Sequence, residues 1–297
     1  FFNRYFDFPY PFVKYDQVIV PDFNSGAMEN VAAVTFSERY IQRGKPTWRD
    51  RENLAGVILH EMAHMWFGDL VTMKWWDDLW LNDSFASYMA DLALHEATEF
   101  KDAWQVFFLD TKQWAYWEDQ LVTTHPIEAS VPDTEQAFSN FDGITYGKGG
   151  SALKQISYYI GADKFRDGTR RYFKKHAFGN AQRKDFMGAL ESASKKDLSA
   201  WTSEWLQTAG LNSVTASYAC RDGKIRSFAL IQSAPDEHPQ LRRHRVEIGL
   251  YGNGDGGKLI VTDRRPGIDY AGRATQVPAL AGTVGEVGET DEVQHQR

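Results

Sequence analysis

Cysteine is nearly absent: Cys220 is the only one in 297 residues. That excludes an intramolecular disulfide and a metal site built from several thiolates. It also sets the expectation of a reducing compartment, with the cytoplasm as the expected location. No apolar run approaches eighteen residues, so no membrane span is expected. No internal repeat is visible. Positive charge is in deficit, with 33 Lys and Arg against 40 Asp and Glu and a net charge of -7. This balance argues against a nucleic-acid partner. The one basic patch, Arg242-Arg243-His244-Arg245, is short and expected to be a solvated face. Phe1 is neither an initiator Met nor the start of a signal-peptide pattern. The first dozen residues are aromatic and apolar, as if cut from inside a larger fold. What remains is ordinary for a soluble globular chain, 42% hydrophobic and 25% charged. The length suggests two domains, or one domain and a fragment.

The most informative stretch is His60-Glu61-Met62-Ala63-His64. Histidines four apart on a helix project from one face about a turn from each other. Such imidazoles can share one metal ion, with the intervening glutamate placed to work on water. A helix is expected here independently, over about 52–67. Thr47-Trp48-Arg49-Asp50 resembles a capping box, with Asp in place of the usual Glu. Leu54, Val57, Ile58, Met62 and Met65 recur at helical spacing, and Gly68 stops the run. The competing reading is a pair of core histidines bonded to carbonyls.

A catalytic zinc takes three protein ligands and leaves a position for water. A carboxylate is the expected third, with Asp69, Asp77, Asp78, Asp83, Asp91 and Glu96 as candidates. Asp83 opens the next apolar periodic run, through Phe85, Tyr88, Met89 and Leu92. Asn82-Asp83-Ser84 is equally what an ordinary helix N-cap looks like. Spacing alone leaves that choice open.

Elsewhere, Gln17–Val20 and Val31–Phe36 read as strands. Helices are expected at 84–97, 100–117, 148–160, 163–178, 183–194 and 197–208, the last closed by Gly210. Residues 121–145 read as a loop bordering a cleft. Eight of the ten tryptophans lie between Trp48 and Trp117; most are expected in the core around the site, with a share in substrate pockets. After Gly210 the period changes to two. Arg221-Asp222-Gly223-Lys224 sits between strand patterns 214–219 and 225–231 as a hairpin signal. Strand patterns at 246–251 and 259–262 flank a second Gly-rich loop.

The stretch HEMAHMWFGDLVTMKWWDDLWLNDSFA, from His60 to Ala86, resembles the zinc site of the aminopeptidase N type of gluzincin metallopeptidase, in its bacterial form. That family has HExxH, eighteen intervening residues, and a glutamate ligand in an N-E-x-F-A setting. Here 18 residues separate His64 from Asp83, and Asn82, Phe85 and Ala86 match. Upstream, Gly26-Ala27-Met28-Glu29-Asn30 resembles the exopeptidase signature. Downstream, Tyr146-Gly147-Lys148-Gly149 resembles the catalytic tyrosine segment. Read without the resemblance, the first string is a Gly-containing turn before a strand and Tyr146 a turn tyrosine before a helix.

The resemblance implies an α+β fold. Residues 1–212 would be a thermolysin-like catalytic domain, a small sheet with a mainly helical lobe. A small β-sandwich would follow over 213–278, and 279–297 would be a poorly ordered tail. The chain would be a fragment whose flanking domains are missing. It implies one Zn2+ held by His60, His64 and Asp83, with metal-activated water and Glu61 as general base. Tyr146 would stabilise the oxyanion, Glu29 would bind the α-ammonium group, and Gly26, Ala27 and Met28 would present the substrate-binding edge. Peptides with a free amino terminus are the implied substrates. One position departs from the pattern, because Asp83 stands where the family has glutamate. Its side chain is one methylene, about 1.5 Å, shorter. The site would then be intact after a backbone adjustment, weakened, or inactive. The presence of Glu29, Glu61 and Tyr146 favours a working or weakened site. The alternative is a catalytically silent relative acting as a peptide- or protein-binding module. An endopeptidase or epoxide hydrolase on the same scaffold is a third reading, the former opposed by Glu29.

Overall fold

The computed structural model describes residues 1–283. It begins with one aromatic turn, α1 (Phe2–Phe6), whose Phe2 and Phe6 pack against Trp66. Three short strands follow: β1 (Asp16–Val20), β2 (Ala27–Met28) and β3 (Ala33–Ser37). β3 lies in the middle, parallel to β1 and antiparallel to β2. β2 is therefore an edge strand.

The motif helix α2 (Trp48–His64) starts four residues earlier than periodicity indicates. The capping box is the reason. Thr47 N donates to Asp50 Oδ2 at 2.8 Å, and Asp50 N donates to Thr47 Oγ1 at 3.1 Å. After β4 (Val71–Met73) comes α3 (Asp83–Ala97), packed along α2. Phe85 of α3 stacks on Phe67 with ring centroids 4.1 Å apart. The expected helix over 100–117 is two, α4 (Ala103–Leu109) and α5 (Thr111–Glu118), divided at Asp110. The expected loop over 121–145 contains a helix, α6 (Thr134–Ser139), capped by Asp133. A π-helical turn, Ile144–Lys148, precedes α7 (Gly149–Ile160). Then come α8 (Ala162–His176), β5 (Gly179–Ala181) paired parallel to β4, α9 (Arg183–Ser194) and α10 (Ser199–Leu206). Leucines, phenylalanines and small residues of these helices close one core, with Phe85, Phe165, Phe173, Phe186 and Leu190 fully buried.

The tryptophan expectation needs correction. Only Trp66, Trp80 and Trp201 are fully buried. Trp48, Trp75, Trp114 and Trp117 are at least 41% exposed, and Trp76 and Trp114 line the cleft described below. The indole is large enough to serve as wall as well as core.

Beyond residue 212 the described residues form strands and two short 3-10 turns, Asp255–Gly257 and Pro278–Leu280; the strands are β6 (Ser213–Arg221), β7 (Lys224–Ser233), β8 (His244–Asn253), β9 (Leu259–Tyr270) and β10 (Ala274–Gln276). β6 and β7 form a hairpin at Asp222-Gly223, both residues with positive φ, and β10 adds to the other side of β7. That dipeptide suits the mirror-image turn that matches strand twist. β8 and β9 form a separate two-stranded sheet. Ile225, Phe228 and Leu230 of the first sheet and Val246, Ile248 and Ile268 of the second pack into one apolar cluster with Leu280. The overall class is thus mixed α and β, with several small sheets.

Two expectations fail here. Ordered packing extends past 279, since Leu280 is fully buried and Gly282 N donates to Ile225 O at 2.8 Å. The rest of the expected tail, 284–297, lies outside the described residues. The basic patch is not a solvated face. Arg242 is only 3% exposed and donates to the carbonyl oxygens of Glu204, Thr208 and Ala209. Glu204 lies in the last turn of α10, and Thr208 and Ala209 lie in the segment just after it, a helix end where a cation is favoured. Arg243 pairs with Glu204 and Arg245 with Asp269.

Candidate metal and peptide site

His60 and His64 lie on one face of α2, and α3 begins opposite them with Asp83. His60 Nε2 and His64 Nε2 are 3.1 Å apart. Asp83 Oδ1 is 3.8 Å from the first and 3.7 Å from the second. A triangle with edges of 3.1, 3.7 and 3.8 Å has its equidistant point about 2.1 Å from each corner. Zinc binds imidazole nitrogen at about 2.0–2.1 Å and carboxylate oxygen at about 2.0–2.2 Å. The donor set, the shorter Asp83 side chain included, is therefore spaced as such an ion would require. Two of the other acids are engaged elsewhere. Asp77 accepts from Val131 N, and Asp78 from Arg183 N and Trp80 Nε1. Of the downstream candidates, the structure brings only Asp83 to both imidazoles.

The tautomer of His64 follows from its neighbours. Its Nδ1 faces two oxygens, Phe67 O at 3.0 Å and Asn82 Oδ1 at 2.5 Å. Both are acceptors, so Nδ1 carries a hydrogen, and Nε2 is the nitrogen whose lone pair a metal ion would take in place of a proton. Asn82 is fixed from its other end, where Nδ2 donates to Glu29 Oε1 at 3.0 Å. One buried amide thus links a metal-ligating imidazole to the Glu29 carboxylate. Gly68 makes room for it: at φ +124° it turns the chain after α2, and a Cβ there would collide with Asn82 Oδ1. Sequence reasoning gave Asn82 no role of its own. Its one available signal was its place directly before the acid.

The electrostatics are those of a site rich in negative charge. Burial works against charge on His64, yet Glu29, Asp83 and Glu61 raise it to about 9. Burial depresses His60 despite its contact with Asp83. Burial pushes Glu61 up to about 8, His64 opposes this, and Glu29 and Asp83 add to it. Glu61 Oε2 and Asp83 Oδ2 are buried without a hydrogen-bond partner. A cation among these carboxylates would answer both observations.

Tyr146 closes the site from the π-turn. Its ring lies between His60 and Trp114, with centroids 6.0 Å from each and interplanar angles of 28° and 23°. Burial first, then the Asp83 carboxylate, pushes its hydroxyl well above the usual phenol range. It is therefore a proton-bearing donor at any ordinary pH. Turns of this kind are frequent at functional sites. Ser84, next to Asp83, donates to Thr145 O at 2.5 Å and ties the turn to α3.

Glu29 lies just after edge strand β2, beside the end of α2 that holds His64. Gly26, Ala27, Met28 and Glu29 line the same open cleft as His60, Glu61, Asp83 and Tyr146, with a volume near 1300 Å³. No helix among the described residues is long and apolar enough to cross a membrane.

The model for the peptidase family M1 domain matches residues 1–205. Aminopeptidase N of Streptomyces lividans is 48% identical over 291 residues, which is 95% of this chain and 34% of that protein. Tricorn protease-interacting factor F2 of Thermoplasma volcanium is 42% identical over 211 residues, 71% of this chain and 27% of that protein. Leucyl aminopeptidase of Saccharolobus solfataricus is 39% identical over 218 residues, 73% of this chain and 28% of that protein. The chain spans between about a quarter and a third of the length of these curated relatives.

Proposed function

Since this chain belongs to peptidase family M1, we propose that it carries the catalytic centre of a zinc aminopeptidase that hydrolyses the first peptide bond of peptides. The observation that carries this reading is the triangle of His60, His64 and Asp83 donor atoms, joined through Asn82 to a carboxylate at the cleft's end. One zinc ion held by these three residues would supply a Lewis acid that lowers the pKa of water and polarises a carbonyl group.

The chain's own residues do the rest. Glu61 takes a proton from water and later gives it to the leaving amine. Its burial suits a carboxyl that must hold that proton between the two transfers. Tyr146 donates its hydroxyl hydrogen to the developing oxyanion. Glu29 pairs with the substrate's α-ammonium group, a charge-assisted contact that sets the distance from chain end to scissile bond. Gly26, Ala27 and Met28 offer the open edge of β2 to an extended substrate, in the manner of an added strand. A free amino terminus is thereby selected.

The same reading extends to the architecture. Residues 1–212 are proposed as a thermolysin-like domain and 213–278 as a small β-sandwich. Flanking domains of the whole protein are proposed partners, and the lone cysteine supports a cytoplasmic location. The silent-relative alternative is not favoured, because Asp83 Oδ1 lies within 3.8 Å of both imidazoles.

The test combines metal and turnover. Dialysis against zinc should leave one ion per chain, and the loaded protein should cleave an amino-acid anilide. Absence of both results would sink the proposal. Glu29→Gln should cut turnover of free-amine substrates far more than it changes zinc content; equal loss on N-blocked peptides would refute the anchor.

A further inference from the structure

The turn that carries Tyr146 is held by a network that the proposed chemistry leaves unused. Asp142 sits at its start. Its Oδ1 accepts from Ile144 N at 2.9 Å and Thr145 N at 3.0 Å, and its backbone O from Tyr146 N at 3.0 Å. Its other oxygen, Oδ2, lies 2.8 Å from His125 Nε2. The second ring nitrogen of His125, Nδ1, lies 2.7 Å from Pro126 O. Both nitrogens therefore face acceptors that have no hydrogen to give. A neutral imidazole can satisfy only one of them, and an imidazolium satisfies both.

We propose that His125 is a positioning residue for Tyr146, acting through Asp142 as a doubly donating imidazolium. The proposal rests on the oxyanion role given to Tyr146 above. Protonated, His125 fixes the Asp142 carboxylate, and the carboxylate fixes the first two amides of the π-turn. Deprotonated, the ring keeps only one of its two bonds and turns a lone pair toward the other oxygen, so its hold between Pro126 and Asp142 weakens and the turn loosens. The hydroxyl of Tyr146 then strays from the position it must hold in the transition state.

The surroundings agree. Burial opposes protonation of His125, but the Asp142 hydrogen bond and charge and the Pro126 carbonyl outweigh it, holding the group above the ordinary histidine value. The charged groups facing it are Asp142, Glu118 of α5 across a shared cavity, and Lys148 with its partner Asp119. Lys148 alone works against the imidazolium, and Asp119 compensates it at 2.8 Å. Glu118 braces the same turn from the other side, accepting from Gly143 N and from Trp114 Nε1, whose indole stacks on Tyr146. The cavity beside His125, lined by Gln136, Ser139 and Asn140, leaves room for a larger cation.

The test measures kcat and KM for an amino-acid anilide from pH 6 to 10 on zinc-loaded protein. His125→Gln should lower kcat by about tenfold or more at neutral pH, as misplacement near the reacting atoms does. KM and zinc content should stay within about twofold. His125→Arg, charged throughout, should keep its turnover to higher pH than the unaltered protein. The His125 ring-proton titration by NMR should coincide with the alkaline fall in kcat of the unaltered protein. In a Tyr146→Phe background, His125→Gln should add no further loss. Full additivity there, or an unchanged alkaline limit in His125→Arg, overturns the proposal even if His125→Gln fails to fold. Full turnover by Tyr146→Phe alone would instead overturn the oxyanion role beneath it, and this proposal with it.

Discussion

The helical lobe up to residue 212 and the strands beyond it hold their shape in different ways. The lobe closes around large rings: Trp66, Trp80, Phe67, Phe85 and Phe186 have almost no exposed surface. The strands share one thin apolar cluster, and the start of β9 leaves Leu259 at 72% and Ile260 at 50% exposure, on opposite faces. Every residue of the candidate centre belongs to the first region. Donor atoms that must sit within a few tenths of an ångström need rigid elements behind them. A region that only docks, as the strands do through Arg242, tolerates looser construction.

Four substitutions test this contrast, in order of expected effect. Glu61→Gln should reduce kcat/KM by about 10³-fold while zinc content stays at that of the unaltered protein. Retained turnover would remove the general base from the lobe. Asn82→Ala should weaken zinc binding by roughly 10- to 100-fold in a chelator competition, because His64 loses its orienting partner. Unchanged affinity would make the Glu29–Asn82–His64 link ornamental. Leu280→Ala should cost about 3 kcal/mol in urea unfolding of the strand region yet leave zinc affinity alone. A parallel loss of zinc would show the two regions to be one energetic unit. Leu259→Ser should change stability by no more than about 0.5 kcal/mol. A larger shift would mean that the Leu259 face of β9 is covered in solution.

The same contrast governs what could be read from the chain. His60, Glu61 and His64 were legible because their geometry is local to one helix, and the capping box that starts it is local too. Asp83 was half legible: spacing put it near the pair, but choosing it over Asp77 or Asp78 required knowing that those acids cap other segments. Asn82 was not legible, since its role depends on the turn at Gly68 bringing the start of α3 to the end of α2. His125 and Asp142 lay in a stretch read as loop, and nothing local announces a pairing across 17 positions. Tyr146 was found through its motif, whereas the extra π-turn before α7 was not, because a helix start at Lys148 satisfied the apolar pattern equally well. Arg242 was misread as solvated because a run of cations looks the same whether it meets water or carbonyl oxygens.

Arg242 has a kinetic consequence. Its guanidinium is satisfied by main-chain oxygens that the last turn of α10 and the segment just after it bring together. That part of the strand region's attachment therefore needs the end of α10 in place, while Arg245 N and Gly267 N reach Gln155 and Tyr158 of α7. The region's own hairpins can form earlier, but their attachment waits on a structure built by residues that precede them in the chain.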